Sequence, residues 1–262
     1  MIVAVGSLQR EVTQITRAGD HTSFEAFKDV VAYRPEDTEH PAIVLAGSGI
    51  DRARKATEWA IDEFNPEALI SFGFCSATRE NQEAGDIVIA DQVVLLPGTP
   101  FEWTKESVVE PHSPDRGLLL SARTAVETGG LDYHHGRIVT VTKLTTTGGT
   151  KSWIGKTIDA AAVNTSSHGV VSAATKAGVP WVAISCVLDR FDQLAPKIVD
   201  REGAGPRERG ISAYARHLFR NPSDLPELIK LNRASAQASS SIKVFFDEFI
   251  KAISRSDQVP AA

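Results

Sequence analysis

Residues 84–91 read Ala-Gly-Asp-Ile-Val-Ile-Ala-Asp, a stretch in which small residues and an aspartate precede an apolar run. Short apolar runs bounded by turn residues are typical of strands that are buried on both faces of a sheet. Further apolar residues follow as far as residue 95. We therefore predict a buried strand over residues 86–95, preceded by a loop of small residues.

Similar apolar runs recur on both sides of this stretch. They predict strands at residues 2–5, 42–46, 68–72, 137–141, 160–163 and 181–187. Apolar residues at helical spacing between them predict helices at residues 50–64, 115–128, 150–158 and 167–177. This alternation predicts an α/β fold with a mainly parallel sheet that is covered by helices on both faces.

The domain organisation follows from where this pattern stops. Composition does not change before about residue 195, and we interpret residues 1–262 as a single domain. Residues 196–222 combine proline, glycine and many charges, and we predict a surface excursion there. A C-terminal helix is predicted over residues 223–253, with Ser223 as its N-cap.

Composition excludes several classes of protein. Among the 262 residues, 42% are hydrophobic and 23% are charged, and no apolar stretch approaches the roughly 18 residues of a membrane span. The N-terminus lacks the basic start and long apolar run of a signal peptide. A net charge of −5 argues against a nucleic-acid partner. Cys75 and Cys186 are the only cysteines, which suits a reducing compartment, and we expect a cytoplasmic protein. With these classes excluded, we expect it to act on a small molecule.

Two acidic residues follow predicted strands. Asp189 comes directly after a central apolar run, at the carboxyl end of a strand, where open α/β sheets bind their ligands. Glu11 follows the first strand after a short loop that begins at Gly6. Two such carboxyl groups could supply an acid and a base, although each residue type is also common in helix caps and on surfaces.

Other polar positions are less specific. Gly47-Ser48-Gly49-Ile50 is either an anion-binding or polar-ligand cradle at a helix start or a simple tight turn. Cys75, in a predicted loop, could touch a ligand, whereas Cys186 is predicted to be a buried packing residue. The seven histidines show no metal-ligand spacing, and we expect neither a metal nor a cofactor.

Four segments in this order resemble the purine nucleoside phosphorylase and nucleosidase superfamily over roughly residues 1–195. They are residues 5–12, residues 47–50 with the following helix, residues 69–73 leading into 84–91, and residues 163–189. Within it, the chain looks closest to the methylthioadenosine/S-adenosylhomocysteine nucleosidases and to phosphorylase-like proteins associated with hopanoid synthesis. The resemblance implies a three-layer αβα sandwich with a mixed central sheet, and a homodimer or larger oligomer.

The resemblance also assigns roles to residues. It implies that Asp189 protonates N7 of a purine and that Glu11 activates the attacking water. It implies substrate contacts for Gly6, Ser48, Gly49, Ile50, Phe74, Cys75, Ser76, Leu144, Thr145, Asn164, Thr165 and Ser166. Phe101, Trp103, Trp153 and the C-terminal aromatic residues either form a subunit contact or belong to the core.

The chain departs from the family at the sugar. The family has a Val-Glu-Met-Glu segment whose second glutamate holds both ribose hydroxyls, and here the segment reads Val-Asn-Thr-Ser, residues 163–166. Ser166 offers one neutral hydrogen bond in place of two charge-assisted ones. The family's arginine before the end of the catalytic strand is Ser185 here.

Three functions therefore stay open. The favoured one is N-glycosidic cleavage of a purine nucleoside or adenosylated metabolite, hydrolytic and with altered ribose recognition. A phosphate-dependent phosphorylase would need Arg10, Arg52 or Arg79 to bind phosphate. The third is a nucleoside-binding or storage protein that does not catalyse a reaction.

Overall fold

A mixed sheet of eleven strands runs through the computed structural model, which describes residues 1–18, 20–37, 40–143, 147–193 and 225–256. The strands are β1 (Ile2–Gly6), β2 (His21–Phe27), β3 (Val30–Pro35), β4 (Ala42–Leu45), β5 (Ala68–Ser71), β6 (Phe74–Ala77), β7 (Ile87–Leu96), β8 (Val109–His112), β9 (Tyr133–Val141), β10 (Ala160–Asn164) and β11 (Trp181–Asp189). The helices are α1 (Gln9–Ala18), α2 (Ile50–Phe64), α3 (Arg116–Thr128), α4 (Gly148–Thr157), α5 (Ser167–Ala177) and α6 (Leu225–Ser256).

Strand β11 is the centre of the sheet. The order is β2-β3-β4-β1-β5-β11-β6-β10-β9-β7-β8, and β7 also pairs with β11. Strands β11, β6, β10, β9 and β7 therefore form a closed ring, while β5, β1 and β4 continue from β11 as a parallel sheet. Asp189, the last residue of β11, is in register with Ser76 of β6, within this ring.

Helices cover both faces of the sheet. On one face, α2 and α5 bury small apolar residues such as Ala56 and Val171 against the strands. On the other, α1, α3 and α6 enclose a second cluster that includes Val12, Ala122 and Phe246. The αβα layers are those that the family resemblance implies, and the fold class is confirmed.

The predicted strands and helices within the described residues are all present, with ends that shift by a few residues at most. Among the described residues, six strand pairs are parallel and five are antiparallel, namely β2–β3, β3–β4, β6–β10, β7–β8 and β7–β11, so the sheet is mixed, as the family resemblance implies. Cys75 lies in strand β6 and is 4% exposed, so its predicted placement in a loop is wrong. The predicted excursion at residues 196–222 and Ser223 lie outside the described residues.

No helix in the described part of the chain combines the length and the hydropathy that a bilayer crossing requires.

Candidate active site

Glu11 is held by backbone N–H groups at the carboxyl end of β1. The side chain lies in the first turn of α1 and is 2% exposed. Its Oε2 accepts hydrogen bonds from the backbone N–H groups of Ser7 (2.8 Å) and Leu8 (2.9 Å). Its Oε1 accepts a third from the N–H of Phe74 on β6, at 3.1 Å. These contacts fix the carboxyl group from two strands.

Two glycines make room for this carboxyl group. A Cβ atom at Gly73 would lie 3.0 Å from Glu11 Oε1, and one at Gly6 would lie 3.1 Å from Oε2. Gly73 also has a φ of 151°, which L side chains rarely adopt. The local sequence thus allows the backbone to approach Glu11 closely.

Asp189 is anchored on the same strand, β6. Its Oδ1 accepts a hydrogen bond from Ser76 Oγ at 2.8 Å, and its Oδ2 accepts one from Lys151 Nζ. Phe74 and Ser76 are two residues apart, which is about 6.5 Å along a strand. Glu11 and Asp189 are therefore held at neighbouring points of one strand, although 178 residues separate them in the sequence.

Lys151 is a part of the site that sequence reasoning missed. It lies on α4 and is fully buried. Besides Asp189, its ammonium donates to the carbonyl oxygens of Arg190 (2.9 Å) and Gln193 (2.7 Å), which uses all three N–H bonds. A signal was available, because Lys151 precedes Ile154 and Ile158 by three and seven residues, on the buried stripe of α4.

Burial raises the pKa of the Asp189 carboxyl above its ordinary value, while the Lys151 ammonium and the Ser76 hydroxyl act in the opposite direction. Burial likewise raises the pKa of the neighbouring Cys75 thiol well above its ordinary value. Cys75 is therefore a neutral thiol at neutral pH, and the ionisable partner that faces Asp189 is Lys151.

At residues 163–166, the segment predicted to bind the sugar, hydroxyl and amide groups lie where the family resemblance implies charges. Ser7, whose backbone N–H holds Glu11, also donates from its Oγ to Ser166 Oγ at 3.0 Å. Asn164 Nδ2 donates to Ser167 Oγ (2.7 Å) and to Ser185 Oγ (3.3 Å). Asn164 Oδ1 in turn accepts from Thr140 Oγ1 at 3.0 Å. Ser166 N–H also donates to Asn164 Oδ1 at 3.4 Å, so the two departures noted in the sequence, at positions 166 and 185, belong to one hydrogen-bonded network.

The glycine loop reaches the same end of the sheet. Ala46 N–H donates to the Gly6 carbonyl (2.9 Å) and Gly47 N–H to the Ser7 carbonyl (3.1 Å), so the loop lies beside the Glu11 loop. Ser48, Gly49 and Ile50 follow directly and are half-buried at the start of α2. Thr165 is half-buried between Asn164 and Ser166. Leu144 and Thr145 lie outside the described residues.

Two of the arginines considered for phosphate donate to backbone carbonyl groups. Arg52 Nε donates to the Ala46 carbonyl at 3.1 Å, directly before the glycine loop that lies beside the Glu11 loop. Arg79 donates to the His135 carbonyl (3.1 Å) and lies 3.5 Å from the Asp159 carboxylate. Neither contact is to a residue predicted to bind substrate.

The aromatic residues divide between surface and core. Phe101 is fully exposed, whereas Trp103 is 8% exposed and stacks on Trp153 with ring centroids 6.3 Å apart. The C-terminal residues Phe245, Phe246 and Phe249 are buried in the chain's own core.

Comparison with known proteins identifies the family of the chain. The family model described as "Phosphorylase superfamily" matches residues 1–209, from β1 to beyond the Asp189 strand. The chain belongs to the phosphorylase superfamily. A curated relative, the 5′-methylthioadenosine/S-adenosylhomocysteine nucleosidase of Staphylococcus haemolyticus, is 27% identical over 148 residues, which are 53% of this chain. The match spans 64% of that relative's length.

Two solved structures match over nearly the whole chain. The nucleosidase of Neisseria meningitidis, in complex with methylthio-immucillin-A, has a TM-score of 0.72 at 18% identity, with 95% of this chain and 98% of that chain covered. Futalosine hydrolase of Helicobacter pylori has a TM-score of 0.68 at 15% identity, with 94% and 97% covered. At these identities, the structures show that the fold is shared.

Proposed function

We propose that this protein hydrolyses the N-glycosidic bond of a purine nucleoside or an adenosylated metabolite. The observation that carries the proposal is the attachment of Glu11 and Asp189 to one strand, through Phe74 N–H and Ser76 Oγ. Two carboxyl groups so held can act on opposite ends of one small substrate, one as base and one as acid. The curated relative and the structural neighbours, which are named as nucleosidases or as futalosine hydrolase, support this reaction class.

At C1′ of the sugar, the proposed reaction forms one bond and breaks one. Glu11 takes a proton from a water molecule, whose oxygen forms a bond to C1′ of the sugar. The C1′–N9 bond breaks, and its electron pair stays with the purine, which takes a proton at N7 from Asp189. Protonation of the leaving base lowers the barrier, an effect of general acid catalysis of about 10²–10⁴-fold.

Asp189 can act as an acid only if the pair that it forms with Lys151 supplies a proton. We infer that the pair shares one transferable proton. As charge develops on the purine, Lys151 passes the shared proton to Asp189, and Asp189 passes it on to N7. The proton left on Glu11 returns to Lys151 through solvent after product release, which restores the starting state.

We propose that the sugar end of the site, around Ser166 and Asn164, binds the substrate without hydrogen bonds to both ribose hydroxyls. Ser166 and Asn164 belong to a hydrogen-bonded network that is uncharged throughout, so it lacks the charge-assisted bonds of a carboxylate. We therefore expect 2′-deoxyadenosine and adenosine to be cleaved with kcat/KM values that differ by less than about tenfold, because one neutral hydrogen bond contributes about 0.5–1.5 kcal/mol.

The reaction is tested by measuring base release from 5′-methylthioadenosine, S-adenosylhomocysteine, adenosine and 2′-deoxyadenosine in phosphate-free buffer. Hydrolysis predicts release that does not depend on phosphate and that falls by about 10²-fold or more in Asp189→Asn. Release only with added phosphate would indicate a phosphorylase. Saturable binding of adenine without any cleavage would indicate a binding protein.

We also propose that the protein forms a homo-oligomer in the cytoplasm. Phe101 is fully exposed, on the stretch between β7 and β8, and is the kind of aromatic residue that subunit contacts bury. Cys75 and Cys186 are unpaired and buried, which suits a reducing compartment. Light scattering of the wild type and of Phe101→Ser tests the assembly, since the serine variant is expected to shift toward a smaller species.

A further inference from the structure

Glu110, His112 and His168 converge outside the site described above. Glu110 and His112 lie on the edge strand β8, and His168 lies in the first turn of α5. Each side chain offers one ligand atom, and these three atoms lie within 4.8 Å of one another. His168 Nε2 is 3.5 Å from Glu110 Oε2, and the two imidazole ring centroids are 5.2 Å apart. Sequence spacing gave no sign of this group, because the fold brings residue 168 to residues 110 and 112.

Two features of the group are unusual for a simple surface ion pair. His112 Nε2 is buried and has no hydrogen-bond partner among the described residues. Glu110 has a φ of 50°, a left-handed conformation that non-glycine residues seldom adopt and that is often found at functional sites. A bound cation would give this nitrogen a partner beside the Glu110 carboxylate.

The charge state of the group suits a cation. A neutral imidazole has one ring nitrogen whose lone pair can bind a metal. His168 Nε2 also lies 3.3 Å from the Glu110 carbonyl oxygen, and an ion held by the three side chains would replace that contact. Glu110 supplies one negative charge, and its side chain is 63% exposed, which leaves a path from solvent.

We propose that Glu110, His112 and His168 bind a divalent transition-metal ion of the Zn²⁺ type. Zinc takes nitrogen and carboxylate ligands at about 2.0–2.2 Å, so its tetrahedral ligand atoms are about 3.3–3.6 Å apart. The distance of 3.5 Å between His168 Nε2 and Glu110 Oε2 already fits this separation. The exposed Glu110 side chain can move to bring the remaining ligand-atom distances into the same range. Two histidines and one glutamate leave a fourth position for water.

An ion at this position would join the edge strand β8 to the start of α5. His168 N–H donates to Thr140 Oγ1 at 3.0 Å, and Thr140 Oγ1 donates to Asn164 of the sugar-end network. Metal binding is thus expected to stabilise the folded state and to raise its melting temperature as the ion concentration increases. Binding should weaken as the pH falls, because protons compete for the two imidazoles.

The test is a titration of the tag-free, full-length protein, first treated with chelator. Co²⁺ is added while its d–d absorption is recorded, and Zn²⁺ is added in a calorimeter. We expect one saturable site per chain, with affinity reduced more than about tenfold in His112→Asn and Glu110→Gln. Glu110→Gln alters a largely exposed side chain, so loss of binding there is not a folding defect. His40→Asn, which removes an exposed histidine paired with Asp37, is the matched control and should bind like the wild type.

The proposal would be overturned if the wild type showed no saturable binding. It would equally be overturned if His112→Asn and Glu110→Gln bound Co²⁺ as tightly as the wild type. Because binding and not turnover is measured, the outcome does not depend on the proposed hydrolysis.

Discussion

Lys151 determines which proton the proposed acid can give. It is fully buried, and its three N–H bonds are directed to Asp189 and two carbonyl groups. A buried ammonium of this kind stabilises the ionised form of its partner carboxyl group. The charge of Asp189 in the substrate complex therefore depends on a residue that forms no part of the family motif quoted above.

Lys151→Met distinguishes two possible roles of Lys151 by the direction in which the basic limb of the kcat/KM–pH profile moves. If Lys151 supplies the proton, the basic limb of the kcat/KM profile reports loss of the pair's last proton. Without Lys151, Asp189 loses its proton on its own, and the limb moves to lower pH. If the ammonium only lowers the pKa of Asp189, its removal moves the limb to higher pH. We expect the shift to lower pH, measured by base release across the pH range.

Lys151→Arg is the matched control for this experiment. Arginine keeps the positive charge but does not release a proton at accessible pH. We expect Lys151→Arg to retain folded stability while losing most of kcat. A basic limb that moves upward in Lys151→Met would contradict the shared-proton account.

At the residue scale, sequence reasoning predicted where the carboxyl groups lie but not what holds them. Asp189 and Glu11 are found near strand ends, as the apolar runs before them indicate. Their partners Ser76, Phe74 and Lys151 come from other elements, and no local pattern specifies these contacts. Their assigned roles stay predictions until activity is measured.

At the scale of elements, the contact between α2 and α5 sets the position of the glycine loop. A Cβ atom at Gly169 would lie 2.2 Å from the Ile50 carbonyl oxygen and 3.0 Å from the Arg54 nitrogen. Both are backbone atoms, so a side chain at this position forces the helices apart. Ile50 adjoins Ser48 and Gly49, and such a shift would reach the predicted sugar contacts.

Gly169→Ala is therefore expected to reduce stability by about 1–3 kcal/mol, the usual cost of overpacking. In a chain of this size, that loss corresponds to a decrease in melting temperature of about 2–12 °C. Gly149→Ala on α4, where an added Cβ meets nothing within 4 Å, is the control and should melt like the wild type. Equal melting temperatures for the two variants would show that the helices can separate without cost.

Elements were predicted where the apolar pattern is strong and missed where it is weak. The hairpin of β2 and β3 turns at Lys28 and Asp29, which both have positive φ values. Such turns are usually signalled by Asn-Gly or Asp-Gly, and Lys-Asp carries no such signal. Strand β6 has only four residues, with small side chains at three of them, and its pairing with β11 depends on the whole sheet.

At the scale of the whole molecule, the C-terminal helix α6 packs against residues that adjoin the Glu11 loop. Phe246 of α6 contacts Phe72 edge to face, with ring centroids 5.2 Å apart. A Cβ atom at Gly6 would lie 2.7 Å from the Phe72 ring, so Phe72 separates α6 from the Glu11 loop. Ser239 Oγ of α6 also donates to the Arg10 carbonyl at 2.7 Å.

Phe246→Ala should accordingly lower the free energy of unfolding by about 3–5 kcal/mol, as expected for a buried aromatic side chain. Ile229→Ala, on the same helix at a position that is 46% exposed, should change it little. Chemical denaturation of both variants measures the difference. If Phe246→Ala were as stable as Ile229→Ala, α6 would not be part of the core.

The central claim is that Glu11 and Asp189 act on the two ends of one nucleoside. The most direct measurement is a crystal structure of Asp189→Asn with 5′-methylthioadenosine. We predict that purine N7 lies within about 3.2 Å of the residue 189 side chain and that C1′ lies between the base and Glu11. A nucleoside bound so that only one of these two residues faces it would contradict the account.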